Sequence, residues 1–410
     1  MHDEPAEETP AGTTPLREIA ALFLRLGFTA FGGPAAHIAL MKDEAVNRRG
    51  WLTEAGFLDL IGATNLIPGP NSTEIAIHLG YLRGRWAGLA VAGLCFIVPA
   101  ALLVSGFAWA YTRYGTLPAV GGVLYSVKPV VVAVVLQAIW GLAKPALRTR
   151  GLALLGAAAL ALALVGVPPL YLLFGAGTLA GVARWAGSRR AGETPLPARA
   201  LLPLLGVAGA LVVLPTLLTA LLPAPSGAVP FGLGPLFLFF LKVGSVLYGS
   251  GYVLLAFLRD QLVTQWHWLT EAQLLDAVAV GQVTPGPVFT TATFVGFLLG
   301  GPAGAAVATL GIFLPSFVLV ALSGPLVPRI RRAPLAAAFL DGVNAAALAL
   351  MAAVVWDLGR AALVDAPTVA LTLLSAVLLV RCKANSAWLI VGAAALGAVA
   401  AALGWRPGAG

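Results

Sequence analysis

LRLGFTAFGGPAAHIALMKDEAVNRRGWLTEAGFLDLIGATNLIPGPNSTE, residues 24 to 74, and LKVGSVLYGSGYVLLAFLRDQLVTQWHWLTEAQLLDAVAVGQVTPGPVFTT, residues 241 to 291, are two copies of one unit. They align without a gap at an offset of 217, which pairs Gly27 with Gly244, Gly32 with Gly249 and Asp43 with Asp260. Trp51-Leu52-Thr53-Glu54 meets Trp268-Leu269-Thr270-Glu271, Asp59 meets Asp276, and Pro68-Gly69-Pro70 meets Pro285-Gly286-Pro287. After a one-residue gap the offset is 216, and Gly88 pairs with Gly304, Pro99 with Pro315, Lys128 with Asn344 and Trp140 with Trp356. A register held through a WLTE, a PGP and a distant Trp marks an internal duplication.

The surroundings of these units are apolar. Of 410 residues 59% are hydrophobic and 10% charged, against roughly 25% charged in a soluble domain, so too little polar surface exists to cover a globule. Apolar runs recur at close to the ~20 residues that a spanning helix needs. Only helices or a closed barrel satisfy the backbone in lipid, and continuous Ala- and Leu-rich runs select helices. Residues 1 to 15 are acidic and Pro-containing, without the basic and apolar regions of a secretory signal, and read as a short disordered tail. Cys95 and Cys382 stand apart without metal-ligand spacing. The net charge of +8 resides in loops between apolar runs, where it acts as a topology signal and not as a nucleic-acid surface.

Segments 53 to 67 and 71 to 82 are each too short to span, and Pro68-Gly69-Pro70 separates them. Pro ends a helix and Gly permits reversal, so a re-entrant pair of half-helices is expected. Lys42, Arg48 and Arg49 before the pair and Arg83 and Arg85 after it place both ends in the cytoplasm. The second copy has only Arg259 beside Asp260 before its pair and Leu299-Gly300-Gly301-Pro302 after it, which suits an outward face. The fold class expected is an all-α polytopic membrane protein, its two homologous halves forming an inverted-topology repeat. Spans fall near 86–112, 118–143, 151–167, 168–185, 200–222, 302–322, 334–359, 366–380 and 385–405. Segments 17–41 and 233–257 then return to the side they entered, each broken at a Gly-rich centre. The units are a tail 1–16, a first repeat 17–186, a linker with a connecting helix 187–232, a second repeat 233–405 and a tail 406–410.

Inverted repeats of broken helices place substrate near the midplane, and half-helix ends offer N–H groups and positive dipoles that suit an anion. The candidate substrate residues are therefore Gly32, Gly33, Gly69, Asn71, Ser72 and Thr73, with Gly249, Ser250, Gly286, Thr290 and Thr291 in the second copy. The hydroxyls and amide could equally cap their own helices. Arg25 and Lys242 are repeat mates in apolar surroundings. Two such cations could neutralise a dianion, or each could snorkel to an interface. Lys128 could bind substrate or pair with an acid. Glu74 and His78, four residues apart, could titrate as a proton-coupling pair, or Glu74 could simply complement its helix dipole; the mates Asp59 and Asp276 are candidates for proton coupling or hydrogen-bonded structural acids. His37, opposite Leu254, reads as a packed polar residue. No GxxxxGK[ST], HExxH, CxxC or GxSxG occurs, so neither an enzyme nor direct ATP hydrolysis is expected, and no metal or cofactor is.

Phe31-Gly32-Gly33-Pro34, Arg48-Arg49-Gly50-Trp51-Leu52, Leu66-Ile67-Pro68-Gly69-Pro70 and Phe96-Ile97-Val98-Pro99, with their second copies, resemble the chromate ion transporter family in its long two-domain form. The likeness covers roughly residues 17 to 382, and the second copy departs from it with Tyr248-Gly249-Ser250-Gly251. The resemblance implies export of chromate across the plasma (inner) membrane, giving resistance and driven by a proton or other ion gradient. Sulfate is an isostructural dianion that these residues do not distinguish, and an exchanger or an anion channel are the competing readings. The partners implied are the oxyanion and the lipid bilayer, with no nucleic acid; a homodimer is one assembly open to the chain.

Overall fold

The computed structural model describes residues 14–30, 33–64, 67–114, 118–190, 229–247, 253–323, 334–382, 384 and 386–403, and every regular element among them is helical. Among the described residues four helices are long and apolar enough to cross a membrane: Asn71–Tyr114, Gly121–Ala146, Val288–Leu322 and Ala337–Ala362. Large apolar side chains stand exposed on the outer faces, among them the mates Trp140 and Trp356. That surface needs lipid to cover it. The chain is a multi-pass membrane protein.

In the first half α1 (Leu16–Thr29) stops at Ala30, whose backbone turns extended. α2 (Gly33–Lys42) widens into a π-helical turn at Asp43–Arg48, and α3 (Glu54–Thr64) leads to Pro68-Gly69-Pro70. α4 (Asn71–Tyr114) is two arms joined where Gly84 and Arg85 leave helical geometry. α5 (Pro118–Ala146), α6 (Arg150–Leu164) and α7 (Pro169–Arg190) follow. The second half repeats these irregularities in register. α8 (Leu233–Val246) stops at an extended Leu247, the mate of Ala30. α9 (Leu254–Leu258) runs into a π turn at Arg259–Gln265, and α10 (Glu271–Val283) starts on a Thr270–Gln273 capping box. A 3₁₀ turn (Val288–Thr290) opens α11 (Thr291–Ser323), which is jointed at Gly300 and Gly301. α12 (Pro334–Ala362), α13 (Ala366–Arg381) and α14 (Ser386–Ala402) complete the chain. The helix limits fall within a few residues of the expected segment limits. The expected helix 200–222 and the terminal tails lie outside the described residues.

The joints fold each long helix back on itself. Gly80 in the first arm of α4 lies against Gly88 in the second, and Gly296 lies against Gly304 in α11. Arg85 holds φ 50°, ψ −141°, a geometry its mate Gly301 adopts at φ 61°, ψ −152°. A side chain there costs on the order of 1–3 kcal/mol, of which glycine's greater unfolded freedom returns about 0.5–1. Arg85→Gly is therefore expected to stabilise the protein by about 1 kcal/mol, read as a higher thermal midpoint in detergent; an unchanged or lower midpoint contradicts the strain.

Contacts fix the directions of the elements. Gly84 meets Leu16 and Ile19, while Gly27 meets Cys95, Phe96 and Pro99, so α1 runs alongside the second arm of α4 in the same sense. Arg49 pairs with Glu18 at 2.7 Å, and Arg49 and Arg83 both lie over the Trp51 ring. Arg83 also donates through Nε to Thr14 Oγ1. The start of α1, the α2–α3 connection and the end of α4's first arm thus share one end of the unit, with the breaks at the other. In the second half Trp268 donates to the Val229 carbonyl and packs on Phe231, against which Gly300 also sits.

The halves interlock. Ile77 and Leu89 of α4 cluster with Phe317 and Val320 of α11, while Tyr111 at the far end of α4 packs edge-on to Phe294, the mate of Ile77. The second arms therefore pass in opposite directions. α5 packs on α13 and α14 of the other half, as α12 packs on α6 and α7. The core is thus shared by both halves and contains the breaks.

Candidate functional site

The four interruptions are strapped together crosswise. The Gly69 N–H donates to the Leu247 carbonyl at 2.7 Å, and the Gly286 N–H donates to the Ala30 carbonyl at 3.0 Å. Gly69 and Gly286 are mates, and so are Leu247 and Ala30; each Pro-Gly-Pro turn of one half is thereby bonded to the broken helix of the other. The carbonyls are free for this because the chain leaves the helix at Ala30 and Leu247, and both glycines hold positive φ, 142° and 86°. A Cβ on Gly69 would lie 2.3 Å from Glu74 Oε1 and 2.6 Å from Ser316 Oγ, and one on Gly286 would lie 2.6 Å from the Ala100 Cβ. Ser316 and Ala100 are mates, so each turn rests behind the proline of the opposite half.

The two turns differ in chemistry. Around the first, Ser72, Thr73, Glu74 and His78 are buried on α4, and His37 is buried on α2. The His37 ring bridges the Ala30 carbonyl (Nε2, 2.9 Å) and Ser72 Oγ (Nδ1, 3.4 Å), a packed polar role as expected. Both Glu74 oxygens, Thr73 Oγ1, His78 Nε2 and Ser316 Oγ are buried without a hydrogen-bond partner. Around the second turn Val288 and Phe289 replace Asn71 and Ser72, and Val295 replaces His78. Thr290 and Thr291 donate their hydroxyls to the Pro287 and Val288 carbonyls, 2.8 Å each, so both hydroxyl protons are spent within their own turn. Among the described residues, unspent polar groups thus gather at the first turn and not at the second.

The cations lie elsewhere than at the turns. Arg25 is half-exposed and pairs with the buried Glu44, which Arg48 and Arg49 also contact. Its mate Lys242 has Asp260 as its charged neighbour. Each of the two basic residues thus has an acidic neighbour in its own half. Lys128 pairs with Asp276 at 3.0 Å, and Tyr111 donates to the other oxygen of Asp276 at 2.8 Å, so of the two roles open to Lys128 the ion pair is formed. Lys42 pairs with Glu54, as its mate Arg259 pairs with Glu271 at 2.8 Å. The Lys42 ammonium, hydrogen-bonded to Glu54, holds that carboxyl below the usual range.

Gly33 opens α2 beside the first break. Gly32, Gly249, Ser250 and the side chain of Asp59 lie outside the described residues. Among the described residues no three His, Cys, Asp or Glu side chains cluster as metal ligands. Sequence reading missed Ser316, Tyr111 and Glu44. Ser316 had a signal, a hydroxyl beside a paired proline where the first copy has alanine.

Buried helix ends, crossed backbone straps and unspent hydroxyls form a polar centre enclosed by both halves, suited to a small ion. A family model described as chromate transporter matches residues 17–182 and 234–398. The chain is 34% identical to the chromate transport protein of Cupriavidus metallidurans over 97% of this chain and 98% of that protein. It is 32% identical to a probable chromate transport protein of Synechococcus elongatus over 86% and 87%. An uncharacterized transporter of Bacillus subtilis matches at 30% identity over 38% of this chain but 89% of its own length, the span of a single repeat. No solved structure matches the chain.

Proposed function

This chain belongs to the chromate transporter family, and on that premise we propose that it is a secondary carrier exporting chromate across the plasma membrane, driven by an ion gradient and conferring chromate resistance. The halves lie inverted in the bilayer. Arg48, Arg49, Arg83 and Arg85 occupy the cytoplasmic face with Arg148 and Arg184, which border one groove at the start of α12. α1 with α2, and α3 with the first arm of α4, enter from that face and return to it, so their breaks stop at mid-depth. The second half does the same from outside. Support comes from the shared ends around Trp51 and around Trp268 and from the opposed second arms of α4 and α11.

The observation that carries the reading is the pair of crossed straps, Gly69 to Leu247 and Gly286 to Ala30. Because each turn is tied to the other half's broken helix, a rocking of one half against the other moves all four breaks together. That is the geometry alternating access requires around a fixed site. Half-helix N–H groups and hydroxyls recognise a tetrahedral dianion by shape and charge, so sulfate is the natural competitor. Arg25 and Lys242 act in this reading as approach and topology charges.

Purified protein in liposomes is expected to carry radiolabelled chromate with saturation and with a response to an imposed ion gradient, and sulfate is expected to compete. Absence of chromate flux, or flux that rises without saturation, overturns the carrier.

A further inference from the structure

We infer that Glu74 is a proton-binding residue whose protonation sets oxyanion affinity at the first Pro-Gly-Pro turn, a control that the second half lacks. The inference rests on the proposed oxyanion carriage and adds the site and the sign of the linkage. Glu74 sits one turn into α4, fully buried, with its Oε1 against Gly69. Neither oxygen has a hydrogen-bond donor, and Glu74 forms no ion pair among the described residues. An ionised carboxylate stripped of water, donors and counter-charge costs more than a helix N-terminus returns.

Among the described residues no neighbouring element supplies the missing charge. On its own helix the nearest titratable group is His78, four residues on, whose Nε2 is also without a partner. From α2 comes His37, engaged by Ala30 and Ser72. From α1, Glu18 and Arg25 are held by Arg49 and Glu44. α3 brings Glu54, paired with Lys42, and Asp59, whose side chain is not described. α10 brings Asp276, paired with Lys128, and Glu271, paired with Arg259. α8 brings Lys242, whose charged neighbour is Asp260. α11 contains no ionisable residue, and offers only Ser316 Oγ.

An ionised Glu74 therefore places a negative charge on the turn that would face the oxyanion. A proton taken from solvent onto the carboxylate removes that charge and leaves a neutral O–H beside Thr73 and Ser316. Proton and oxyanion then favour each other's binding, and by linkage each raises the other's affinity. In the second half the mate is Thr291, which carries no titratable proton in this range, so the control is single.

The test uses the full chain in detergent with chromate as the probe, at alkaline pH where chromate is the fully deprotonated dianion and contributes no proton of its own. Adding chromate to weakly buffered wild-type protein is expected to draw protons from solution, and affinity is expected to fall as pH rises by up to about tenfold per unit, the limit for one linked proton. Glu74→Gln should bind chromate with a pH-independent affinity and release or take up no protons, whereas His78→Gln should keep the slope. A flat wild-type profile without proton uptake overturns the inference, as does a slope that survives in Glu74→Gln or vanishes only in His78→Gln. An affinity that follows sodium rather than pH overturns it too. The wild-type proton uptake decides the matter even where Glu74→Gln does not fold. Chromate bound without any pH dependence discards this linkage alone; failure to bind chromate or sulfate at every pH discards the proposed function with it.

Discussion

Gly286→Val is expected to abolish transport, and Gly69→Val to do the same, with at least a tenfold loss of chromate flux per inserted protein. At Gly286 the backbone holds φ 86°, and a Cβ would stand 2.6 Å from the Ala100 Cβ and 3.3 Å from the Gly27 carbonyl oxygen. At Gly69 φ is 142°, and the clash is with Glu74 and Ser316. A β-branched residue in such backbone costs on the order of 1–3 kcal/mol, and overfilling a packed site costs a similar amount again. Relief requires the turn to shift, which breaks the strap to Ala30 or Leu247. Gly106→Ala is the control, since a Cβ there meets nothing within 4 Å and alanine favours a helix over glycine. Flux equal to wild type in either valine variant would place the turns outside the transport path.

The second large effect is on stability. Asp276→Ala leaves Lys128 in a mostly buried position without its carboxylate and deprives Tyr111 of its acceptor. Breaking a buried pair from one side costs about 3–5 kcal/mol, whereas replacing both partners with apolar groups is often neutral. The single variant is thus expected to lose most of its thermal resistance in detergent. The triple change Asp276→Leu, Lys128→Met and Tyr111→Phe should recover most of that loss. A triple variant no more stable than Asp276→Ala would mean that the pair is not what holds α5 to α10.

Much of this architecture is legible in the sequence, because duplication writes every irregularity twice. The breaks near Ala30 and Leu247 and the Pro-Gly-Pro turns recur at an offset of 217 and the glycine joints at 216, and the half-helix limits follow from Pro, Gly and apolar run length. Partner choice is another matter. Lys128 meets Asp276 across the interface of the halves, and Gly69 meets Leu247; nothing local in either segment encodes such contacts. Arg25 lies 19 positions before Glu44, with a helix break between them, and only the return of α2 toward the start of α1 brings the two together. The contrast of Glu74 with Thr291 is visible in the alignment, yet its meaning depends on burial and on the absence of a counter-charge, which only packing reveals.

The inverted arrangement of the two halves stands on which face of the membrane each connection meets. Asn47 and Thr264 are repeat mates, both exposed on the π turns that follow the first breaks. In a chain with Cys95→Ala and Cys382→Ser, an impermeant maleimide should label Thr264→Cys in intact cells and Asn47→Cys only after the cytoplasmic face is opened. Labelling of both from the same side would contradict the inversion and, with it, the meeting of the four breaks as a site reached alternately from either face.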